Sequence, residues 1–247
     1  MLNMTLNEIY ETLLKTYSNQ GWWPLINYEG NNPTKTGSVN GYHPRDYSFP
    51  RNENEKYEII IGAVLTQNTS WPQVEKSLKN LQKITKITPT ELLKTDEDEI
   101  KKAIKPSGYF NQKYEYLLNI TSFYQSLNKE TPERKELLKV KGVGPETADS
   151  ILLYAYKEKE FVIDTYTKRI FSYLGIINEK DTYNKIKREF EDNFKGNVND
   201  YQEYHALIVE HGKNHYSKKP YGINDNILNR YKKKIKVEKK CIFQLQE

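Results

Sequence analysis

Two glycines, a proline and an aspartate are spaced so that they could bind a phosphate group and supply a carboxylate. Residues 141–145 read Lys-Gly-Val-Gly-Pro, ahead of an apolar run that extends to Ala155. Glycines allow a tight turn and close approach of another backbone, and a proline is tolerated in the first turn of a helix. The N–H groups and the dipole at such a helix start attract a phosphate. Asp164 follows Gly144 by 20 residues, behind the apolar segment 161–163.

Two short segments around these residues carry a family pattern. Residues 140–148 read Val-Lys-Gly-Val-Gly-Pro-Glu-Thr-Ala, and residues 163–165 read Ile-Asp-Thr. A glycine turn alone would be compatible with an ordinary helical hairpin. The full string resembles the helix-hairpin-helix of the endonuclease III (HhH-GPD) superfamily of DNA glycosylases, where L-x-G-V-G-x-x-T-A precedes a V-D-T with the essential aspartate. The resemblance implies these DNA-binding residues: Lys141, Gly142, Val143, Gly144, Glu146 and Thr147.

The same resemblance implies that Asp164 is the catalytic residue. Such enzymes flip a base out of the duplex into a pocket. Breaking the glycosidic bond creates positive charge on the deoxyribose, which a carboxylate stabilises while it orients the attacking water. From the residues alone, Asp164 is also a candidate N-cap for a helix that opens at Thr165. The two roles are compatible.

Glu146 departs from the pattern of the bifunctional relatives. Those enzymes carry a lysine at this position, and its amine attacks C1′ and forms a Schiff base that leads to strand cleavage. A glutamate cannot form an imine, so we predict a monofunctional enzyme that leaves an intact abasic site. The family hairpin often holds a monovalent cation on backbone carbonyls, which gives Val140 and Gly142 as candidate ligands here.

The resemblance extends over about residues 57–216. Residues 62–69 resemble the family's L-(S/T)-x-Q segment, in which the glutamine probes the base stack where a base has been extruded. Gln67 is the candidate for that role, with a helix-terminal residue that caps carbonyls as the alternative. Residues 105–113 resemble the I-x-x-x-G-(F/Y)-x-x-x-K-A turn of the same family.

The tryptophans favour one branch of that superfamily. Trp22, Trp23, Pro24 and Trp71 match in position the aromatic pocket of the endonuclease III-like 3-methyladenine DNA glycosylases and their archaeal relatives. A base methylated on a ring nitrogen is cationic, and an indole face attracts it by about 0.5–2 kcal/mol. Lys213 resembles a basic residue near that pocket. Core packing for the tryptophans, and a surface or phosphate contact for the lysine, are the alternatives.

These features predict a glycosylase of base excision repair that acts on double-stranded DNA and releases an alkylated purine such as 3-methyladenine. Uracil or thymine mispaired with guanine, or oxidised guanine, is an alternative substrate, for which a more polar pocket is expected. A non-catalytic DNA-binding helix-hairpin-helix protein is the alternative from another class. Asp164 argues against it, because DNA binding alone does not require that carboxylate.

Composition limits the remaining classes of function. With 36% hydrophobic and 29% charged residues, the chain has no apolar stretch long enough to cross a bilayer. Its opening residues lack a signal-peptide pattern, so a cytoplasmic location is expected. A monomer is also predicted. Because Cys241 is the single cysteine of the sequence, the chain cannot bind a four-cysteine iron–sulfur cluster. We therefore predict no cofactor. His205 and His211 share one helical segment without further recognisable ligands, so structural roles are predicted for both.

The positive charge is concentrated near the C-terminus. The chain has a net charge of +5, but residues 229–240 hold seven basic residues and one acid, so the rest is close to neutral. This segment is either a phosphate-contacting arm or a solvated helix end.

Apolar periodicity predicts an all-α fold with a long loop over residues 27–54. The resemblance implies one two-lobed glycosylase fold with the active-site cleft between its lobes. Residues 55–160 would form a six-helix lobe that ends in the hairpin, 137–156, and residues 1–54 with 161–247 the second lobe. The predicted helices outside the hairpin span residues 4–18, 57–67, 71–81, 89–94, 97–104, 112–127, 165–173, 180–193 and 200–216.

Overall fold

The computed structural model of the protein describes residues 2–232, and this part of the chain is helical. No strand forms within it, and an isolated bridge pairs Asn31 with Asn40. The helices are α1 (Leu2–Tyr17), α2 (Glu53–Leu65), α3 (Trp71–Ile84), α4 (Pro89–Lys94), α5 (Glu97–Ile104), α6 (Phe110–Ser126), α7 (Arg134–Leu137), α8 (Pro145–Ala155), α9 (Thr165–Leu174), α10 (Tyr183–Asn193) and α11 (Val198–His215). The all-α prediction is confirmed. Most of the basic segment 229–240, and Cys241, lie outside the described residues.

Local capping explains where several helices begin. Helix α2 starts four residues before the predicted Tyr57, because the Asn52 side chain accepts the N–H groups of Asn54 and Glu55. Asn197 and Asp200 form a capping box at the start of α11. Among the described helices, none is long and apolar enough to cross a membrane.

Residues 21–160 form one compact unit. Its central helix is α2, in which every residue from Tyr57 to Leu65 is buried. Helix α2 packs against α8, α6 and α3, which explains why its apolar residues surround the whole helix instead of forming one stripe.

The long loop belongs to this unit, which corrects the predicted lobe boundary. The sequence predicts that residues 21–54 belong to the second lobe, whereas in the structure they group with α2 to α8. The indole nitrogen of Trp23 lies 3.1 Å from where a Cβ on Gly62 would be, and the Ile26 N–H donates to Glu58 Oε1 at 2.7 Å. His43 Nε2 lies 2.9 Å from the Trp23 carbonyl oxygen. The loop therefore packs directly on α2.

Residues 1–20 and 161–247 form the other unit, described as far as Lys232. Helix α11 packs against α9 and α1. The ring of Tyr204 on α11 contacts the rings of Tyr10, Phe161 and Phe194, and its hydroxyl donates to the Leu6 carbonyl at 3.0 Å. The core of this unit is therefore largely aromatic, with its central hydroxyl satisfied.

Candidate active site

The hairpin consists of α7, a five-residue turn after the α7 C-cap and the start of α8. An ion pair joins its two helices: the Arg134 guanidinium donates to both carboxylate oxygens of Asp149, at 2.5 and 3.1 Å. Asp149 is fully buried and Arg134 is mostly buried. A bidentate pair of this kind fixes the angle as well as the distance between two elements. It therefore holds α7 against α8 and sets the shape of the turn between them.

The two glycines of the turn have different local roles. Gly142 has a φ of 98°, and a Cβ there would lie 2.2 Å from Cγ of Tyr116, so both conformation and space require glycine. Gly144 has an ordinary φ of −89°, and a Cβ there would meet no atom within 4 Å. Nothing local requires a glycine at Gly144.

The start of α8 presents backbone to solvent. Gly144 is the N-cap residue of α8 and supplies no side chain to cap the N–H groups of the first turn. Gly144, Pro145 and Glu146 are exposed, whereas Val143 and Thr147 are buried. The exposed turn thus combines accessible backbone with the positive end of a helix dipole, which is the arrangement that binds an anion.

Lys141 lies beside this surface, and its ammonium group is 3.0 Å from Glu115. Both side chains are largely exposed, so the pair contributes little to stability and Lys141 can exchange partners.

Gln67 contacts the hairpin directly. Its amide nitrogen donates to the Gly142 carbonyl at 2.8 Å and to Thr147 Oγ1 at 3.0 Å. The structure therefore places three of the predicted DNA-binding residues in one hydrogen-bonded group. It also shows that the Gly142 carbonyl oxygen, a candidate cation ligand, already accepts a hydrogen bond from Gln67 on one of its two lone pairs.

Lys113 holds in place the segment that precedes Gln67, a role not predicted from the sequence. Its buried ammonium donates to the carbonyl oxygens of Leu65 and Ser107, each at 2.7 Å. Burial lowers the pKa of Lys113 to about 8. The contact ties the 105–113 turn to the end of α2, two residues before Gln67. The sequence signal for this contact is that Lys113 occupies the lysine position of the family's I-x-x-x-G-(F/Y)-x-x-x-K-A turn pattern.

The structure brings the three tryptophans together in the 21–160 unit. The ring centroids are 5.4 Å apart for Trp22 and Trp23, 5.7 Å for Trp22 and Trp71, and 5.3 Å for Trp23 and Trp71. Tyr154 of α8 lies 5.4 Å from Trp23, and Pro24 is buried beside it in sequence. The tryptophans are 9%, 4% and 5% exposed, so the rings pack closely on one another.

Two nitrogen atoms in this cluster are unusual. The indole N–H groups of Trp23 and Trp71 are buried and make no hydrogen bond within the described residues. A buried donor without an acceptor costs about 1–3 kcal/mol. The cluster therefore retains two donors that an acceptor on a ligand would satisfy.

Asp164 is the N-cap residue of α9, as the second interpretation of the sequence predicted. Its Oδ1 accepts the Thr167 N–H at 2.6 Å and the Thr167 hydroxyl at 2.7 Å. Within the part of the chain that the structure describes, Oδ2 accepts no hydrogen bond. The residue is 9% exposed and lies at the positive end of the α9 dipole. Oδ1 is thus held in place, and Oδ2 remains available to interact with a reacting group.

The surroundings of Asp164 include an uncharged histidine. Burial lowers the pKa of His205, while the Asp164 carboxylate acts in the opposite direction. Tyr166, two residues after Asp164, has a pKa raised first by burial and then by that carboxylate. A Cβ on Gly212 would lie 2.3 Å from the Tyr166 ring, so glycine permits α11 to approach α9 closely. Lys213, the next residue, places its ammonium 3.6 Å from Glu210.

Comparison with known proteins defines the class to which this fold and these residues belong. A family model described as "HhH-GPD superfamily base excision DNA repair protein" matches residues 61–195. The chain belongs to this superfamily and is a DNA repair glycosylase of the endonuclease III type. The sequence-based recognition of the family is therefore confirmed.

Two curated relatives cover most of the chain. A "putative DNA repair glycosylase" of Methanocaldococcus jannaschii is 41% identical over 223 residues, which are 86% of this chain and 89% of the relative. Endonuclease III of Thermotoga maritima is 31% identical over 67% of this chain and 78% of its own length.

Solved structures show the same fold. A 3-methyladenine DNA glycosylase of H. pylori, bound to 1,N6-ethenoadenine, is 25% identical with a TM-score of 0.62, and the match covers 86% of this chain and 97% of that one. A trapped endonuclease III–DNA covalent intermediate has a TM-score of 0.70 at 18% identity, over 94% and 97% of the two chains.

Proposed function

We propose that this glycosylase is monofunctional, uses water and no cofactor, and releases an alkylated purine such as 3-methyladenine from double-stranded DNA. The observation that carries the proposal is the geometry of Asp164. Its Oδ1 is fixed by Thr167 and its Oδ2 makes no hydrogen bond among the described residues. A positioned carboxylate stabilises the cationic sugar and orients a water molecule without forming a bond to carbon.

The absence of an amine at Glu146 supports hydrolysis without strand cleavage. Glu146 is exposed in the first turn of α8, where its charge is favourable to the helix dipole. An imine requires an uncharged amine, and a carboxylate cannot supply one. The nearest lysine in sequence on this surface, Lys141, is exposed, and its amine is engaged in an ion pair with Glu115.

The hairpin would anchor the DNA backbone. The accessible first turn of α8, with Gly144 at its cap, suits one phosphate group and carries no information on sequence. Such a contact positions the duplex, and the choice of base is left to the pocket.

The aromatic cluster supports an alkylated purine as substrate. Trp22, Trp23 and Trp71 lie together, and an aromatic pocket for a cationic base would form if these closely packed rings separated to admit it. The 3-methyladenine DNA glycosylase of H. pylori has the same fold. A base that already carries positive charge is also a good leaving group and needs little acid assistance.

One observation is also compatible with the alternative of a neutral base. The buried N–H groups of Trp23 and Trp71 are hydrogen-bond donors, and a carbonyl oxygen of uracil, thymine or an oxidised purine would accept from them. A purine ring nitrogen would do the same, so the two donors do not by themselves select the substrate.

The test is a panel of duplexes that contain 3-methyladenine, 1,N6-ethenoadenine, uracil or thymine opposite guanine, or 8-oxoguanine. Base release is detected by alkali cleavage of the resulting abasic sites. We expect cleavage of alkylated duplexes only after alkali, and no covalent protein–DNA adduct when borohydride is present. A trapped adduct would contradict the monofunctional mechanism. Activity restricted to uracil, thymine or 8-oxoguanine would contradict the substrate but retain the glycosylase.

A further inference from the structure

A group of metal-ligand side chains lies at the end of α11, in the unit formed by residues 1–20 and 161–247. His211 and His215 are four residues apart on one helix, and Asp225 comes from the segment that follows it. One candidate ligand atom from each residue lies within 4.8 Å of the other two. Residues of a helix separated by four positions share a face, so both imidazoles point toward the same region.

In His211 and Asp225, the atoms that face away from the group are already oriented. Nδ1 of His211 lies 3.0 Å from the Tyr17 hydroxyl. Oδ1 of Asp225 accepts the N–H groups of Ile227 and Leu228. Metal-binding histidines and carboxylates are typically held by such partners, which fix the tautomer and the ring orientation.

The remaining atoms converge. Nε2 of His211 lies 3.0 Å from Oδ2 of Asp225, and Tyr216 donates its hydroxyl to the same oxygen at 2.8 Å. Two ligands on one tetrahedral ion lie about 3.3 Å apart when each bond is about 2.0–2.1 Å. His211 and Asp225 therefore stand close to ligand spacing, and only the half-buried His215 has to move inward.

We propose that His211, His215 and Asp225 bind one divalent transition-metal ion, with water completing its coordination. Two imidazoles and a carboxylate suit Zn²⁺ and Fe²⁺. The binding form of His211 carries its proton on Nδ1, where it donates to the Tyr17 oxygen, so Nε2 has a free lone pair.

The ion would join α11 to the segment after it. That segment already folds back, because the Gly222 N–H donates to the His215 carbonyl at 3.0 Å. Coordination by Asp225 would add a second, stronger link over ten residues of chain. The role is structural, and it goes beyond the proposed function because it uses none of the residues assigned to base release.

The experiment uses the untagged full chain, treated with chelator and then freed of it. Zinc chloride is titrated by calorimetry, and the melting temperature is measured with and without zinc. We expect one equivalent to bind, and at about a hundredfold excess over Kd the melting temperature to rise by roughly 5–10 °C. His215→Gln should weaken binding at least about a hundredfold, while Lys218→Gln, on an exposed neighbour, should bind as wild type does.

Cobalt absorption identifies the ligands. Co²⁺ held by imidazole and carboxylate gives visible ligand-field bands without a thiolate charge-transfer band, and His215→Gln should lose those bands. Asp225→Asn should also lose the ligand-field bands, provided that this variant folds. If Asp225→Asn does not fold, His215→Gln alone still tests the assignment. Equal zinc binding by wild type and His215→Gln, or a thiolate band, would overturn the assignment. If neither the wild type nor His215→Gln binds zinc, the metal site is refuted and the three side chains form only a hydrogen-bond network.

Discussion

The side-chain amide of Gln67 donates to the carbonyl oxygen of Gly142 at 2.8 Å, across 75 residues of sequence. The end of α2 is therefore attached to the turn of the hairpin. Gln67 is predicted to probe the base stack, and the hairpin is predicted to contact the DNA backbone. Both predicted functions therefore depend on this hydrogen bond between distant parts of the sequence.

Gln67→Ala should loosen the attachment of α2 to the hairpin. It removes two hydrogen bonds and leaves the Gly142 carbonyl and the Thr147 hydroxyl to find other partners, which we expect to cost about 1–3 kcal/mol in the free energy of unfolding. Thr147→Val removes only one contact and should cost less. Chemical denaturation measures both. An equal loss in the two variants would mean that the Gly142 contact contributes nothing.

The two glycines should respond differently to substitution. Gly142→Ala places a side chain at a positive φ and against Tyr116, so we expect a loss of stability of at least about 1–3 kcal/mol. Gly144→Ser meets open space and adds a capping hydroxyl, so stability should be unchanged or slightly higher. That hydroxyl competes for the N–H groups at the start of α8, so DNA affinity should fall for every duplex. Unchanged affinity of Gly144→Ser would remove this helix start as the phosphate site.

Asp164→Asn separates the chemical role of Asp164 from its capping role. Asparagine still accepts the Thr167 N–H, so the melting temperature should change little. Loss of the charge should lower the rate of base release at least about a hundredfold, with affinity for abasic-site DNA retained. Asp164→Ala should lose both stability and activity. If Asp164→Asn kept the wild-type rate, capping would be the only role of this residue.

Breaking the Arg134–Asp149 pair should destabilise the hairpin. Asp149→Ala leaves the Arg134 guanidinium without its carboxylate, and we expect a cost of about 3 kcal/mol. Hydrogen exchange should increase in α7 and at the start of α8 before it increases in α2. The exposed pair of Lys141 and Glu115 provides the control, because Glu115→Ala should change stability by less than about 1 kcal/mol. Similar effects of the two substitutions would contradict the importance of burial.

Glu58 should make stability depend on pH. Burial raises the pKa of this carboxyl group to about 7, so the folded protein retains a proton that the unfolded chain loses from about pH 4.5 upward. Stability from this group is complete at low pH and is lost as the pH rises toward and past 7. Glu58→Gln keeps the acceptor for the Ile26 N–H. We expect it to be more stable than wild type at pH 8, by up to about 3 kcal/mol, and equal at pH 4. A difference independent of pH would show that Glu58 does not titrate in this range.

Local sequence signals were sufficient to predict the helices, the hairpin and the family. Each depends on signals within a few residues: apolar periodicity, N-caps such as Asn52, and the glycine turn with Pro145 behind it. The position of Asp164 before α9 was predicted for the same reason, because capping is a local interaction.

Which of these elements contact one another depends on packing in three dimensions. Periodicity shows which face of a helix is buried but does not show what packs on it, so the placement of residues 21–54 on α2 could not be predicted. The contact of Gln67 with Gly142 spans 75 residues and that of Tyr17 with His211 spans 194. The burial of Glu58, and the contact of His211 with Asp225 across 14 residues, also depend on how the chain folds back on itself. Short-range sequence patterns carry no information about such contacts.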